Sequence, residues 1–121
     1  IIEDGVEVIG EKAFYGCSQL TNLTLPDKLK EIGEKAFMEC YRLTNLSIPY
    51  TVTEIGYMAF NCSGLTEIRL PATLTEIGVG AFSGCSKLTE LILPETLTKI
   101  GSYAFNGCSG LTKLRLPGKD M

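Results

Sequence analysis

The sequence predicts a solenoid, a single domain built from about five stacked coils of roughly 23 residues each. Phenylalanine, cysteine and proline each occur five times, and each series has a spacing of 23 residues apart from one step of 22. A period between about 20 and 50 residues is the signature of an array whose units pack on their neighbours. Hydrophobic residues make up 45% of the chain and charged residues 21%, as in a packed domain.

Within one unit, the pattern of side chains predicts where the backbone turns. Residues 22–25 alternate between polar and apolar, which is typical of a half-buried strand. Pro26 ends this strand because it has no N–H for the ladder. Ile32 then points inward, Gly33 supplies a turn, and residues 36–37 form a tight or 3₁₀ corner with the phenylalanine ring inside.

One such coil cannot bury its apolar residues alone, whereas stacked coils can. We therefore expect identical side chains to lie in columns, separated by the roughly 4.8 Å of neighbouring strands. The central prediction is that Phe37, Phe60 and Phe82 lie in register, each in contact with the next.

The five cysteines are expected to form a similar column of free, buried thiols. An odd number cannot all pair within one chain. Zinc is disfavoured because the chain has no histidine and a line of thiols is not a tetrahedral site. The single 22-residue step has one cause, since Ala59-Phe60-Asn61-Cys62 is one residue shorter than the Ala-Phe-x-x-Cys of the other repeats. We predict no metal site and no cofactor.

The pattern Leu-Thr-x-Leu-x-Leu-Pro-x-x-Leu-x-x-Ile-Gly-x-x-Ala-Phe-x-x-Cys-Ser-x resembles the leucine-rich repeats of the BspA-like class. The resemblance covers roughly residues 2–117, and we take residues 1–121 as a single domain within a longer protein. It implies a leucine-rich-repeat solenoid, a right-handed β/α superhelix with short parallel strands lining a concave face and tight turns or 3₁₀ corners on the convex side. The commoner leucine-rich repeat has Asn or Cys after the strand, where this chain has Pro26.

The resemblance also implies a function. Proteins of this class are found on cell surfaces or are secreted, and they bind host or matrix components. This favours a non-enzymatic recognition or adhesion module whose partner is a protein or another extracellular macromolecule. The alternative is a structural spacer that displays other domains of the parent protein.

The outward positions of the strands are the candidate interaction face. They differ from coil to coil, whereas the core columns barely change, so packing does not dictate them. The alternative is that these residues bind no partner and form a solvated face with cross-strand ion pairs. The candidate residues are Asn22, Asn45, Glu67, Glu90 and Lys113 in one column, and Thr24, Ser47, Arg69, Ile92 and Arg115 in the next.

Several classes of function are disfavoured. The net charge of −3 leaves no basic stripe for nucleic acid. No apolar run approaches the roughly 18 residues of a membrane span, so we predict no membrane insertion. No histidine is present to act as a base, and no polar cluster stands outside the repeats. We therefore predict that the chain is not an enzyme and has no catalytic residue.

The remaining polar columns are expected to be structural or solvated. The threonine column at positions 21, 44, 66, 89 and 112 should satisfy backbone groups. Exposed carboxylates should stack at Glu31, Glu54 and Glu76, with Lys99 below them.

Two further surfaces follow from the pattern. An exposed apolar patch is predicted at Tyr57, Met58, Val79 and Tyr103, where the first two repeats carry charged residues. The end coils show no polar cap, which predicts end-to-end association with another chain.

Overall fold

The computed structural model describes residues 2–115, and every structural statement below refers to these residues. They form nine short strands and contain no α-helix or 3₁₀-helix. The strands are β1 (Val8–Ile9), β2 (Glu31–Ile32), β3 (Asn45–Ser47), β4 (Glu54–Ile55), β5 (Glu67–Arg69), β6 (Glu76–Ile77), β7 (Glu90–Ile92), β8 (Lys99–Ile100) and β9 (Lys113–Arg115).

The strands build two parallel sheets along the solenoid. One sheet has the order β1-β2-β4-β6-β8 and the other the order β3-β5-β7-β9. Each strand pairs with its counterpart one coil further on, as in Glu31 with Glu54 and Asn45 with Glu67. The predicted solenoid of stacked coils is confirmed, but the strand predicted over residues 22–25 is not formed, and the second sheet begins one coil later with β3.

The core consists of the predicted columns. The Phe37, Phe60 and Phe82 side chains are fully buried. Their rings stack with centroid separations of 5.2 and 5.3 Å and interplanar angles of 4° and 5°. Ile32, Ile55 and Ile77 form a second buried column. The central prediction of the sequence analysis is therefore confirmed.

The corner that carries the phenylalanines is a series of tight turns. Ala36 N donates to Gly33 O within its coil at 3.2 Å, whereas Phe37 N donates to Ala59 O of the next coil at 2.7 Å. Lys35 has a φ of 58°, in the left-handed region. Successive backbone N–H groups thus donate alternately to carbonyls of the same coil and of the next coil. The corner therefore consists of the expected tight turns, and residues 2–115 contain no 3₁₀ helix.

Gly33 serves a different purpose from the predicted turn. Its φ is not positive, but a Cβ at this position would lie 2.6 Å from Ile9 O. Glycine is required here because the backbones of adjacent coils approach too closely for any side chain.

The prediction of one cysteine column is wrong at Cys62. Ser63 N donates to Phe60 O as Cys85 N donates to Phe82 O, and Ser63 Oγ lies 3.4 Å from Cys85 Sγ. Ser63 therefore takes the cysteine position. Cys62 has a φ of 57° and occupies the place of Gly84 in the next coil. The missing residue is thus accommodated after the corner rather than within it.

The expected end-to-end association is not tested by the structure and stays a prediction. Part of the surface it invokes, Leu116–Met121, lies outside the described residues, as does Ile1.

Candidate functional site

The strands β3, β5 and β7 present a row of side chains to the outside. Their central residues, Leu46, Ile68 and Leu91, are buried in the core. Because side chains alternate along a strand, the residues on either side of each point away from the core. The fold therefore brings the predicted candidate columns onto one surface.

These outward side chains line a groove with a volume of about 1190 Å³. Eight of the ten candidate residues contribute to its walls: Asn22, Thr24, Asn45, Ser47, Glu67, Arg69, Glu90 and Ile92. The other two, Lys113 and Arg115, pair in register with Glu90 and Ile92 on β9 but lie outside the groove.

Threonine hydroxyls beside the groove form hydrogen bonds with backbone carbonyls. Thr66, Thr89 and Thr112 each donate to a carbonyl of the preceding coil, at 3.4, 3.3 and 3.3 Å. For these three residues the predicted structural role is confirmed.

The polar side chains within the groove behave differently. Those of Asn45, Ser47, Glu67 and Arg69 make no hydrogen bond to any described residue. Their donors and acceptors are therefore available to a ligand.

The strand carboxylates of the groove, Glu67 and Glu90, form no salt bridge with a described residue. Glu67 and Glu90 occupy paired positions on adjacent strands. One salt bridge forms within residues 2–115, between Lys30 Nζ and Glu7 Oε1 at 3.4 Å, and neither residue lines the groove. The expected cross-strand ion pairs are therefore absent from this part of the chain. Directly opposed like charges are unfavourable in a sheet, and the strand neighbours of Glu67 are Asn45 and Glu90, so strand pairing does not explain Glu67. Glu90 is also opposite Lys113 on β9.

Among the groove residues that sequence reasoning missed, Tyr50 is the most exposed large side chain. Its side chain is 81% exposed and lies at the groove edge, directly after Pro49. The neighbouring Thr51 hydroxyl donates to Asp27 O at 3.1 Å and to Leu29 O, which fixes this turn against the preceding coil. A signal was present in the sequence, because the corresponding positions are Asp27, Ala72 and Glu95 and carry no other aromatic ring.

The second carboxylate column lies on the other sheet, as predicted, but its glutamates are half-buried rather than exposed. Glu31, Glu54 and Glu76 pair in succession, and Glu76 pairs with Lys99. No group of three or more potential metal ligands occurs within residues 2–115.

The cysteines of the structure are free thiols, as predicted, but the predicted burial holds for Cys40 and Cys85 alone, since Cys17 is exposed and Cys62 and Cys108 are half-buried. Burial raises the pKa of Cys40 and of Cys85 from 9.0 to about 11. Because the thiolate is the reactive form, neither is poised as a nucleophile.

Of the four residues of the predicted apolar patch, three are exposed, as expected. Tyr57, Val79 and Tyr103 are exposed, and Lys35 Nζ lies 5.7 Å from the centre of the Tyr57 ring. Met58 is half-buried.

A search of the described residues for a helix of sufficient length and apolar character to span a bilayer finds none.

Comparison with known proteins gives a consistent family match. The family described as BspA type leucine rich repeat region matches residues 1–119 in six copies. This is one more copy than the approximate count from the sequence. No curated protein matches the chain.

Three solved structures are similar to it. A leucine-rich repeat protein from T. pallidum has a TM-score of 0.85 and 33% identity, over 93% of this chain and 64% of that one. A leucine-rich repeat protein from Bacteroides ovatus has a TM-score of 0.76 and 33% identity, over 96% of this chain and 36% of that one. The pneumococcal vaccine antigen PcpA has a TM-score of 0.79 and 32% identity, over 85% of this chain and 26% of that one. The chain thus spans less than two thirds of each of these proteins.

Proposed function

Because the chain belongs to the BspA-type leucine-rich repeat family, we propose that it is a non-enzymatic recognition module that binds another macromolecule through the groove of β3, β5 and β7. One observation carries the proposal. The groove exposes polar side chains that the fold does not use, such as Asn45, Glu67 and Arg69, whereas threonine hydroxyls beside it are bonded to the backbone.

The groove suits contact with a large partner better than chemistry on a small one. It is open along the solenoid, and its side chains come from successive coils. Each coil adds one pair of outward residues, so the surface changes in steps along the axis. A partner lying along this axis would contact several coils at once, which gives specificity without a deep pocket.

We further propose that the parent protein acts outside the cell, on its surface or in secreted form, as an adhesion or binding protein. The support is the family together with the likeness to a protein described as a vaccine antigen.

The test compares two variants with matched substitutions. The groove variant carries Glu67→Ala, Arg69→Ala, Glu90→Ala and Ile92→Ala. The control variant removes two carboxylates, one cation and one apolar group from exposed positions outside the groove, with Glu11→Ala, Glu34→Ala, Lys87→Ala and Val79→Ala. Urea unfolding first establishes that both variants fold.

Binding to immobilised collagen, laminin and mucin is then measured by surface plasmon resonance. We expect the wild type to bind at least one of these surfaces, the groove variant to lose that binding and the control to keep it. Equal binding by the two variants would contradict the proposal. Absence of binding by the wild type to all three would instead support the structural spacer.

A further inference from the structure

We propose that one end of the groove, formed by residues 22–25 and 27 of coil one and residues 45–51 of coil two, binds a neutral oligosaccharide chain. In this proposal the Tyr50 ring stacks on a sugar face, and the Asn45 and Ser47 side chains form hydrogen bonds with the sugar hydroxyls. This inference rests on the proposed function, because it assigns a ligand chemistry to the same groove. It depends on three features of this end of the groove, which are an exposed fixed ring, uncommitted amide and hydroxyl groups, and the distribution of charge.

The first feature is the aromatic ring. Tyr50 is the most exposed of the large hydrophobic side chains of the structure, at 81%. Its turn is held by the Thr51 hydroxyl, which bonds two carbonyls of the preceding coil. A tyrosine on a fixed backbone has two side-chain torsions to order, so it offers a large contact area at low entropic cost. Its flat ring has an apolar face that matches the C–H face of a pyranose ring.

The second feature is the hydrogen-bonding groups next to this ring. An asparagine amide supplies two donors and an acceptor, and a serine hydroxyl can act as either. The Asn45 and Ser47 side chains are exposed in the groove and make no hydrogen bond to the described residues. Polar groups on adjacent coils lie about 4.8 Å apart, a separation comparable to the length of one pyranose unit. A sugar chain along the axis could therefore meet one set of groups per coil.

The third feature is charge. The outward side chains of the first two coils, Asn22, Thr24, Asn45 and Ser47, are uncharged. The acidic residues that line the groove beside them are Asp27, one coil before Tyr50, and Glu67, which pairs with Asn45. Arg69, which pairs with Ser47, is the one cation among the groove-lining residues beside this end, so two carboxylates outweigh it. The net negative charge disfavours an anionic sugar and leaves a neutral one as the better match.

Peptide ligands fit this groove less well. Strands β5 and β7 are paired on both sides and offer no free edge to an added strand. Strand β3 is the edge strand of its sheet, but hydrogen bonds from Arg42 to Gln19 and from Thr51 to Asp27 O hold the preceding coil beside it, so an added strand would have to displace residues 22–25. An amphipathic helix needs a continuous apolar stripe, whereas the exposed large hydrophobic side chains of the groove are Tyr50 and Ile92, two coils apart. A phosphorylated peptide needs a cluster of arginines, whereas Arg69 is the one arginine among the residues that line the groove.

The experiment is isothermal titration of the chain with four neutral hexasaccharides, namely maltohexaose, cellohexaose, mannohexaose and chitohexaose, and with hexagalacturonate as the anionic probe. We expect at least one neutral chain to bind with a Kd of about 1 mM or tighter, and hexagalacturonate to bind about tenfold more weakly. Tyr50→Ala should weaken binding about tenfold, while Tyr50→Phe keeps the ring and most of the affinity. Asn45→Ala should also weaken binding.

The matched control is Tyr41→Ala, which removes a tyrosine that is 54% exposed but lies outside the groove. It should bind like the wild type. The inference is overturned if none of the neutral hexasaccharides binds, if hexagalacturonate binds as tightly as they do, or if Tyr50→Ala binds like Tyr41→Ala. In each case, groove-dependent binding to the immobilised surfaces described above would leave the proposed function standing, so the two failures are distinguishable.

Discussion

The rings of Phe37 and Phe60 lie parallel at an angle of 4°, with 5.2 Å between their centroids. Both side chains have no exposed surface. The backbones on which they stand are joined directly, because Phe37 N donates to Ala59 O. Each ring therefore packs against the ring before it and the ring after it. Its position is fixed by main-chain hydrogen bonds that would not adjust to a smaller side chain.

Removal of one ring should consequently leave a cavity. We expect Phe60→Ala to lower the free energy of unfolding by about 3–5 kcal/mol. Urea denaturation followed by circular dichroism measures the change. Tyr41→Ala, at an exposed site, should alter it by less than about 0.5 kcal/mol. A loss at Phe60 of similar size to that at Tyr41 would show that the column does not carry the core.

The columns could be predicted from the sequence because their residue types repeat. Phe37, Phe60 and Phe82 share one spacing and one environment, so counting residues was sufficient. The candidate face was also predictable, since strand alternation decides which side chains point outward. The absence of ion pairs on this face could not be predicted, because ion pairing depends on side-chain geometry that the spacing of residues does not determine. Glu67 and Arg69 lie on the same face of β5, yet neither forms a salt bridge with a described residue.

Cys62 shows where counting residues fails. The spacing of residue types suggested that it belongs with Cys85, but the backbone conformation assigns it to the position of Gly84. The hint in the sequence was that glycine directly precedes cysteine in three of the other four repeats. Positive φ at non-glycine residues such as Lys35 gave no comparable signal, because tertiary hydrogen bonds impose it.

The glycines of the Ile-Gly column should differ sharply in their tolerance of a side chain. In Gly33→Ala the new methyl group would lie 2.6 Å from Ile9 O, a backbone atom held within a sheet, whereas a Cβ at Gly10 meets nothing within 4 Å. We expect Gly33→Ala to destabilise the chain by more than about 1 kcal/mol and Gly10→Ala to have little effect. Thermal melting of the two variants provides the comparison. Equal melting temperatures would be incompatible with close contact between the coils.

A stabilising change is expected at Glu39. This residue has a φ of 62°, while glycine stands at the same corner position in other coils, as Gly16, Gly84 and Gly107. Glycine adopts this conformation without steric cost. We expect Glu39→Gly to raise the free energy of unfolding by about 0.5–1 kcal/mol. Glu34→Gly, where φ is not positive, should lower it, and a rise in both variants would indicate an effect of charge instead.

Thiol reactivity should divide the cysteines according to burial. Since burial raises the pKa of Cys40 and Cys85 to about 11, roughly one molecule in a thousand carries either thiolate at pH 8. We expect the exposed Cys17 to react with Ellman's reagent first and these two last, with all five reacting rapidly in denaturant. Peptide mapping by mass spectrometry identifies the order of labelling. Early labelling of Cys85 in the folded chain would contradict its burial.

The same two thiols should make folding sensitive to alkaline pH. In the unfolded chain they ionise near the ordinary pKa of 9.0, and in the folded chain near 11. Their neutral forms therefore favour the folded state fully below about pH 9, and this contribution is lost as the pH rises toward 11. Urea unfolding at intervals between pH 8 and 11 should show a decline that is smaller in a Cys40→Ser, Cys85→Ser double variant. Because both proteins share every lysine and tyrosine, parallel declines would mean that other groups cause the loss and that the thiols do not.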